Sequence, residues 1–367
     1  MKRKFYSMLL LTGALTLTGT LSANAQDNNG KHNIIQEEAY TGPLNIELST
    51  RVDYQREYLE KDAVKDNCGF KGKYLMLSIN GNINDKFSYT YRQRLNELHQ
   101  KNSFFDGIDK MFITYQFAPK WEITAGKMGM FFGSWEYDRN PQYMYHYSEW
   151  TNHLACYKFG AYLTYSPTQN DHIFAQFTES PFNNMNNNND MYAYHLAWYG
   201  NHGWFNTIYS ANVLEYNPGK FIYYLCFGHR LEFGKVAMEI DYMNRATGKD
   251  TYFFKDCSLI GELQVMPNEH WNIFAKGSYS VNKTNNAADL CLLPGTEITQ
   301  VSGGVEFFPL KNGNKDVRLH AMYGYNFGTN TNPNGVMKDN QHMMSVGVQW
   351  NMDLVDLVKN IWNRSKK

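Results

Sequence analysis

Residues 317–326, VRLHAMYGYN, alternate almost without a break between two kinds of side chain. Successive side chains of a strand point to opposite faces. Val317, Leu319, Ala321, Tyr323 and Tyr325 therefore share one face, and Arg318, His320 and Asn326 the other. The pattern recurs in Trp121, Ile123 and Ala125 beside Glu122, and in Val236, Met238, Ile240 and Tyr242 beside Glu239 and Asp241. In residues 87–97, FSYTYRQRLNE, the rings of Phe87, Tyr89 and Tyr91 oppose Arg92 and Arg94. Strands of this kind need hydrocarbon on one side and water on the other, which a barrel across a bilayer provides. Charges on the inner face then call for a water-filled interior.

Alternating segments are expected near 44–59, 70–83, 86–98, 108–117, 121–128, 155–166, 172–179, 190–200, 203–213, 221–233, 235–245, 257–266, 270–281, 297–308, 316–326 and 342–351. Most reach the ~9–11 residues a tilted strand needs to cross hydrocarbon. Short links rich in turn formers, such as NDK, APK, GNHG, FGK and PNEH, alternate with longer polar ones around 60–69, 99–107, 129–154, 180–189, 214–220, 246–256, 282–296 and 327–341. The expected fold is all-β: a transmembrane antiparallel β-barrel of about 16 strands, with short periplasmic turns and long external loops. Tyr and Trp near strand ends, including Trp121, Trp271, Trp350, Tyr325 and Tyr242, suit the two membrane interfaces.

Composition agrees with this class. Aromatics make up 16% of the chain while mean hydropathy is −0.55, a pairing that an ordinary soluble core explains poorly. Lys2 to Lys4, an apolar stretch and Ala23-Asn24-Ala25 read as a signal peptide over 1–25, with the mature chain starting at Gln26. Without those three basic residues, 32 Lys and Arg face 35 Asp and Glu, which argues against a nucleic-acid partner. Residues 26–42 read as a flexible periplasmic lead-in, 43–351 as the barrel and 352–367 as a short periplasmic tail. In that tail Leu354, Leu357, Ile361 and Trp362 can share one helical face.

Catalytic signatures are missing from the sequence: it has no Gly-x-Ser-x-Gly elbow, no His-Glu-x-x-His and no phosphate loop. His172 and His195 have no evident catalytic partners. The five cysteines are odd in number and scattered, which indicates neither a disulfide framework nor a zinc site. No enzymatic role, metal or cofactor is expected.

Two features could carry selectivity. The longest link, residues 129–154, exceeds the length of an ordinary structureless loop and is expected to fold into the lumen as a constriction, with Trp135, Glu136, Asp138 and Arg139 near its crown. On the inner wall, alternation places Arg51, Arg92, Arg94, Lys110, Arg230, Arg245, Lys276 and Arg318, and to the same side Glu47, Asp53, Glu122, Glu232, Glu239 and Asp241. Rings of cations favour anions in a narrow pore, whereas mixed signs fit a general solute pore.

The segments GFKGKYLMLSINGNINDKFSYTYRQRLN (69–96), AGKMGMFFGSWEYDRNP (125–141), IDYMNRA (240–246), LLPGTE (292–297), GVEFFPL (304–310) and VRLHAMYGY (317–325) resemble, in that order, the phosphate-selective porin O and P family of Gram-negative outer membranes. The resemblance implies a sixteen-stranded barrel, usually a homotrimer, with an inward-folded third loop. Arg92 and Arg94 in YRQR and Lys127 in AGK match the family pattern, although Lys127 falls on the apolar parity of its strand. The implied function is passive diffusion of small hydrophilic or anionic solutes through the outer membrane, whose lipid is the other expected partner. The alternatives are a phosphate or polyphosphate channel, a non-conducting structural or adhesive barrel, and a soluble secreted sugar-binding β protein.

Overall fold

The computed structural model describes residues 42–96, 104–186, 188–248 and 253–365. The expected signal peptide and nearly all of the lead-in lie outside these residues, as do the end of the strand expected at 86–98 and parts of the links at 99–107, 180–189 and 246–256.

Sixteen long strands follow one another around a closed antiparallel sheet. They are β1 (Asn45–Leu59), β2 (Gly69–Asn84), β3 (Phe87–Arg94), β4 (Ile108–Ala118), β5 (Trp121–Gly129), β6 (Tyr157–Tyr165), β7 (Asp171–Glu179) and β8 (Tyr192–His202) in the first half. The second half contains β9 (Phe205–Asn217), β10 (Lys220–Phe233), β11 (Val236–Thr247), β12 (Asp256–Asn268), β13 (Trp271–Asn282), β14 (Glu297–Phe307), β15 (Val317–Thr329) and β16 (Gln341–Asp353). A two-residue strand, Asp62–Ala63, folds back on the end of β1 in the first external loop. Pairing of β1 with β16, from Glu47 opposite Asp353 to Leu59 opposite Gln341, closes the barrel and leaves no open edge. Among the described residues the α-helices are α1 (Trp135–Asp138), α2 (Glu149–His153), α3 (Asn183–Asn186) and α4 (Leu354–Ser365).

Alternation decides the faces as the sequence requires. Leu196, Ile273, Leu319, Tyr323 and Val346 are exposed on the outer wall, while their neighbours His195, Asn272, Arg318 and Ser345 are buried inside. The aromatic pairs Trp121–Tyr165 and Trp204–Phe233, both stacked, and Trp271–Phe307, tilted, ring the end that carries the short turns. In the tail, α4 leaves Leu357, Val358, Ile361 and Trp362 exposed.

One link differs from expectation. The external connection anticipated at 214–220 contracts to Pro218 and Gly219, because β9 and β10 both run on past it. Gly219 takes φ +70°, which a two-residue turn needs and which glycine adopts without steric cost. The Glu215 carboxylate accepts the Gly219 amide at 2.6 Å, so a residue expected in the loop instead braces the hairpin.

The outward parity of β16 gives a direct test. Val346 lies mid-strand, 59% exposed and opposite Tyr54 and Ala321. Val346→Arg should cost about 2–4 kcal/mol in the folding equilibrium in lipid vesicles, read from urea titrations. The same substitution at the rim residue Lys311 should cost close to nothing.

Candidate functional site

The interior is filled by residues 130–156, the loop between β5 and β6. Its entry is fixed by a reciprocal pair of bonds: the Gln176 amide donates to the Gly129 carbonyl at 2.9 Å and accepts from the Phe131 amide at 2.9 Å. Asn212 donates to the Phe131 carbonyl and Ser210 Oγ accepts the Gly133 amide. Next comes α1, whose unpaired first-turn amides would be costly in a buried place. Asp241, reaching across from β11, accepts from the Trp135 and Glu136 amides at 2.9 Å each and from Ser134 Oγ at 2.8 Å. Ser134 itself caps Tyr137.

Glu136 is a knot rather than an exposed charge. Its carboxylate pairs with Lys276 at 2.7 Å and accepts from the Ser148 amide, Ser148 Oγ and Thr151 Oγ1, which ties α1 to α2 and both to the wall. Arg139 reaches Glu262 at 2.8 Å and also pairs with Glu239. Burial, the largest single influence, works against its charge, but the nearby carboxylates together outweigh it and hold the guanidinium firmly protonated. Of the four expected crown residues, Asp138 alone is exposed, and its carboxylate accepts from Tyr199 Oη at 3.4 Å. Trp135 is buried against Phe174, Ala197, Tyr199 and Ile208.

The rest of the loop is gripped by wall cations through its carbonyls. Arg51 donates to the carbonyls of Met144 (2.5 Å) and Gln142 (3.2 Å), Arg318 donates to Gln142, and Lys276 donates to His146 at 2.6 Å. Arg51 and Arg318 also lie over the Tyr145 ring, at 4.7 and 5.4 Å. Glu149 of α2 accepts from Met337 N, Asn330 Nδ2 and His153, joining this loop to the one between β15 and β16. Two wall glycines make room. A Cβ on Gly324 would lie 2.7 Å from His146 Nδ1, and one on Gly228 would lie 3.1 Å from the Trp135 ring.

On the side of β8–β12 the filling is apolar. Met130, Phe132, Tyr137, Trp150 and Leu154 of the loop pack with inward Leu214, Ile222, Tyr224 and Met243 of the wall, and with Phe182 and Leu292 of two further loops. The expectation that water inside solvates the wall charges is thus corrected. A loop with its own carbonyls, carboxylates and rings replaces water over most of the lumen.

The eight expected inner-wall cations separate accordingly. Arg51 pairs with Asp53, Arg230 with Glu232 and Glu239, and Arg318 with Glu306. Arg245 is buried with Asp289, which in turn caps Cys291 and Leu292, so it anchors the loop between β13 and β14. Lys276 binds Glu136 as described. Arg92 and Arg94 share Asp109, at 3.4 and 3.0 Å, beside Tyr157. Lys110 sits opposite Arg92 and is half-buried. Lys127 follows its apolar parity, pairing with Met111 and Phe159, and its ammonium donates to the Phe105 carbonyl.

Burial is lopsided. Inward residues of β8–β13 and β15 are mostly buried away from the strand ends, whereas Tyr74, Ser78, Asn80, Thr90, Arg94, Lys110, Phe112, Thr114, Gln116 and Glu122 on β2–β5 keep partial exposure, as do Met343, Gly347 and Asn351 on β16. The accessible part of the lumen lies beside that wall. Lys73 and Asp109 belong to this neighbourhood and were missed in the sequence. Each sits where the ladder register shifts, at Arg51/Val52 and at Arg92/Gln93, and alternation cannot foresee a bulge.

Residues 44–208 match the family model described as phosphate-selective porin O and P. The comparison with curated proteins yields no match. Among solved structures the chain is similar to outer-membrane expressed OmpT of Vibrio cholerae, at 13% identity and TM-score 0.55, covering 84% of this chain and 97% of that one. It is similar also to in-vitro folded OmpT in its trimer form (13%, 0.56, 85% and 100%) and to an anion-selective porin from Comamonas acidovorans (8%, 0.59, 84% and 99%). At such identities the likeness concerns the fold.

Two outcomes are expected for the seated loop. Lys276→Met leaves Glu136 buried without its counter-ion and should cost about 3–5 kcal/mol, seen as new protease cleavage within 130–156 while the barrel stays heat-resistant on gels. The second concerns pH. Burial, then the nearby Lys276 charge, lowers His146 from 6.5 to about 3, so the seated loop holds it neutral. Above pH 6.5 the seated state keeps its full stability. As pH falls below 6.5 a released loop binds a proton that the seated one refuses, so seating weakens until about pH 3, by about 2–3 kcal/mol at pH 4.5. Cleavage of the loop should rise over that interval, and His146→Gln should flatten the rise.

Proposed function

We propose, from the premise that the chain belongs to the phosphate-selective porin O and P family, that it is a passive outer-membrane porin for small hydrophilic solutes with a mild preference for anions. Family and barrel are those of Gram-negative outer-membrane channels rather than of enzymes. The mature form in this reading starts at Gln26 after signal cleavage, sits in outer-membrane lipid and assembles as a homotrimer. A trimer form of the similar OmpT barrel supports that assembly.

The observation that carries the reading is the lopsided burial. Solutes would pass between the seated loop and the β2–β5 wall, where Lys73, Arg92, Arg94 and Lys110 face two carboxylates, Asp109 and Glu122. Such a surplus of positive charge enriches anions in a narrow passage. Because Arg92 and Arg94 already share Asp109, a phosphate would have to compete with a bonded carboxylate, and binding stays weak enough for release. A phosphate-specific channel is therefore the weaker form of the proposal. In this assignment Arg94 and Lys110 line the passage and Asp138 lies at its edge. Arg51, Arg139, Arg230, Arg245, Lys276, Arg318, Trp135 and Glu136 instead hold the constriction in shape.

A second reading, a non-conducting barrel, draws support from the filled interior. Planar-bilayer recording of refolded mature protein separates the two. Open steps with a reversal potential favouring anions, reduced about fivefold in permeability ratio by Lys110→Glu, would fit ~1 kcal/mol of local field. No current from a demonstrably folded barrel would select the structural reading, and block by phosphate that is lost in Arg94→Gln would promote the specific channel.

A further inference from the structure

The barrel and its seated loop leave the tail of the chain without a role. There α4 starts on the residue that follows the end of β16, with no linker between them. The Asp353 carboxylate accepts the Asp356 amide at 2.9 Å and so caps the first turn. The helix touches β1 and β16, and its first two residues, Leu354 and Val355, are half-buried. Further along, exposure rises: Leu357, Val358, Ile361 and Trp362 are 48–64% exposed.

Leu354, Leu357, Val358, Ile361 and Trp362 stand at i, i+3, i+4, i+7 and i+8, which makes them one stripe along the helix. Asp356 and Lys359 take the other side, 3.0 Å apart. A helix of 12 residues is marginal by itself in water. An apolar stripe left open to water makes it more so. The fold therefore needs an apolar surface outside the barrel to hold α4 in place.

We propose that α4 lies along the phospholipid leaflet at the short-turn end, with its stripe turned into the boundary between headgroups and acyl chains. Height, continuity, size and charge select that occupant. The helix starts at the end of the barrel where the pairs Trp121–Tyr165, Trp204–Phe233 and Trp271–Phe307 mark a membrane interface. Leu48 opposite Met352, and Trp350 two residues before it, carry the outward apolar parity of β1 and β16 down to Leu354, so the stripe extends a surface that already faces hydrocarbon. Four side chains so exposed present on the order of 500 Å², short of the ~800 Å² a side that a stable protein contact buries. Insertion about 5–10 Å into a bilayer surface needs no more than such a stripe. By sequence, residues 354–367 carry Lys359, Arg364, Lys366 and Lys367 against Asp356 alone, a balance that suits lipid phosphates. The proposal rests on the barrel lying in a membrane and is independent of whether it conducts.

The test uses the refolded mature protein in nanodiscs of phosphatidylcholine and phosphatidylglycerol, made with and without lipids brominated close to the headgroup. Emission of Trp362 is isolated as the difference between wild type and Trp362→Phe. It should be blue-shifted, quenched about twofold or more by brominated lipid and barely quenched by acrylamide in the water. Ile361→Asp, measured against its own Trp362→Phe partner, places a charge on the stripe and should reverse both responses. Heat-resistant migration on gels establishes that every variant keeps the barrel. Trp362 emission in wild type that acrylamide quenches and brominated lipid does not would overturn the proposal. Emission shielded from both quenchers would overturn it too, because protein would then cover the stripe. A folded barrel that failed to enter the nanodisc would overturn the membrane placement itself, which separates that failure from a failure of α4.

Discussion

Closure of β1 on β16 is the constraint on which the other features rest. An open sheet in hydrocarbon would strand two rows of amides and carbonyls, each costing several kcal/mol. Once the ring is closed, the interior becomes a fixed container whose walls carry whatever the inward parity supplies. Here that parity supplies arginine, lysine, aspartate and glutamate in close alternation, and the container has to satisfy them.

The loop between β5 and β6 meets most of that demand. Bare carbonyls of residues 142–146 accept from Arg51, Arg318 and Lys276, and Glu136 and Arg139 supply the opposite charges. A buried charge is tolerable when it is paired and fully hydrogen-bonded, and severely unfavourable when one partner is missing. Loop and wall are for that reason a single electrostatic unit. The fit also requires close approach, which Gly228 and Gly324 allow by lacking a side chain. Where the wall turns apolar, at Leu214, Ile222, Tyr224 and Met243, the loop turns apolar too, with Phe132, Tyr137 and Trp150.

Legibility differed between fold and site for physical reasons. The strands were legible because period-two alternation is a local property, and residues such as Val317 to Asn326 settle their faces without reference to any neighbour. The tight Pro218-Gly219 turn was less so, since the alternation of β9 and β10 continues through residues that look like loop. Arg92 and Arg94 were identifiable as inward-facing. Their shared partner Asp109 was not, because the register shift at Arg92/Gln93 puts it beside them. Inward apolar residues such as Ile222 and Tyr224 passed unnoticed, since a strand apolar on both faces carries no clear parity signal. Lys127 shows the converse: it falls on the apolar parity of its strand although the family pattern pairs it with inward cations, and only the structure gives its partner, the Phe105 carbonyl of a neighbouring loop.

By itself the sequence determined the barrel, its strand order, the two faces of the clearly alternating strands and the existence of one connection too long to be a plain turn. These follow from rules that act over a few residues. Tertiary structure alone decided which charges meet, which of them are withdrawn from solvent and on which wall the lumen stays accessible. Those outcomes depend on pairs such as Glu136–Lys276 and Arg139–Glu262, more than a hundred residues apart in the chain. Their partners become neighbours only after the ring has closed.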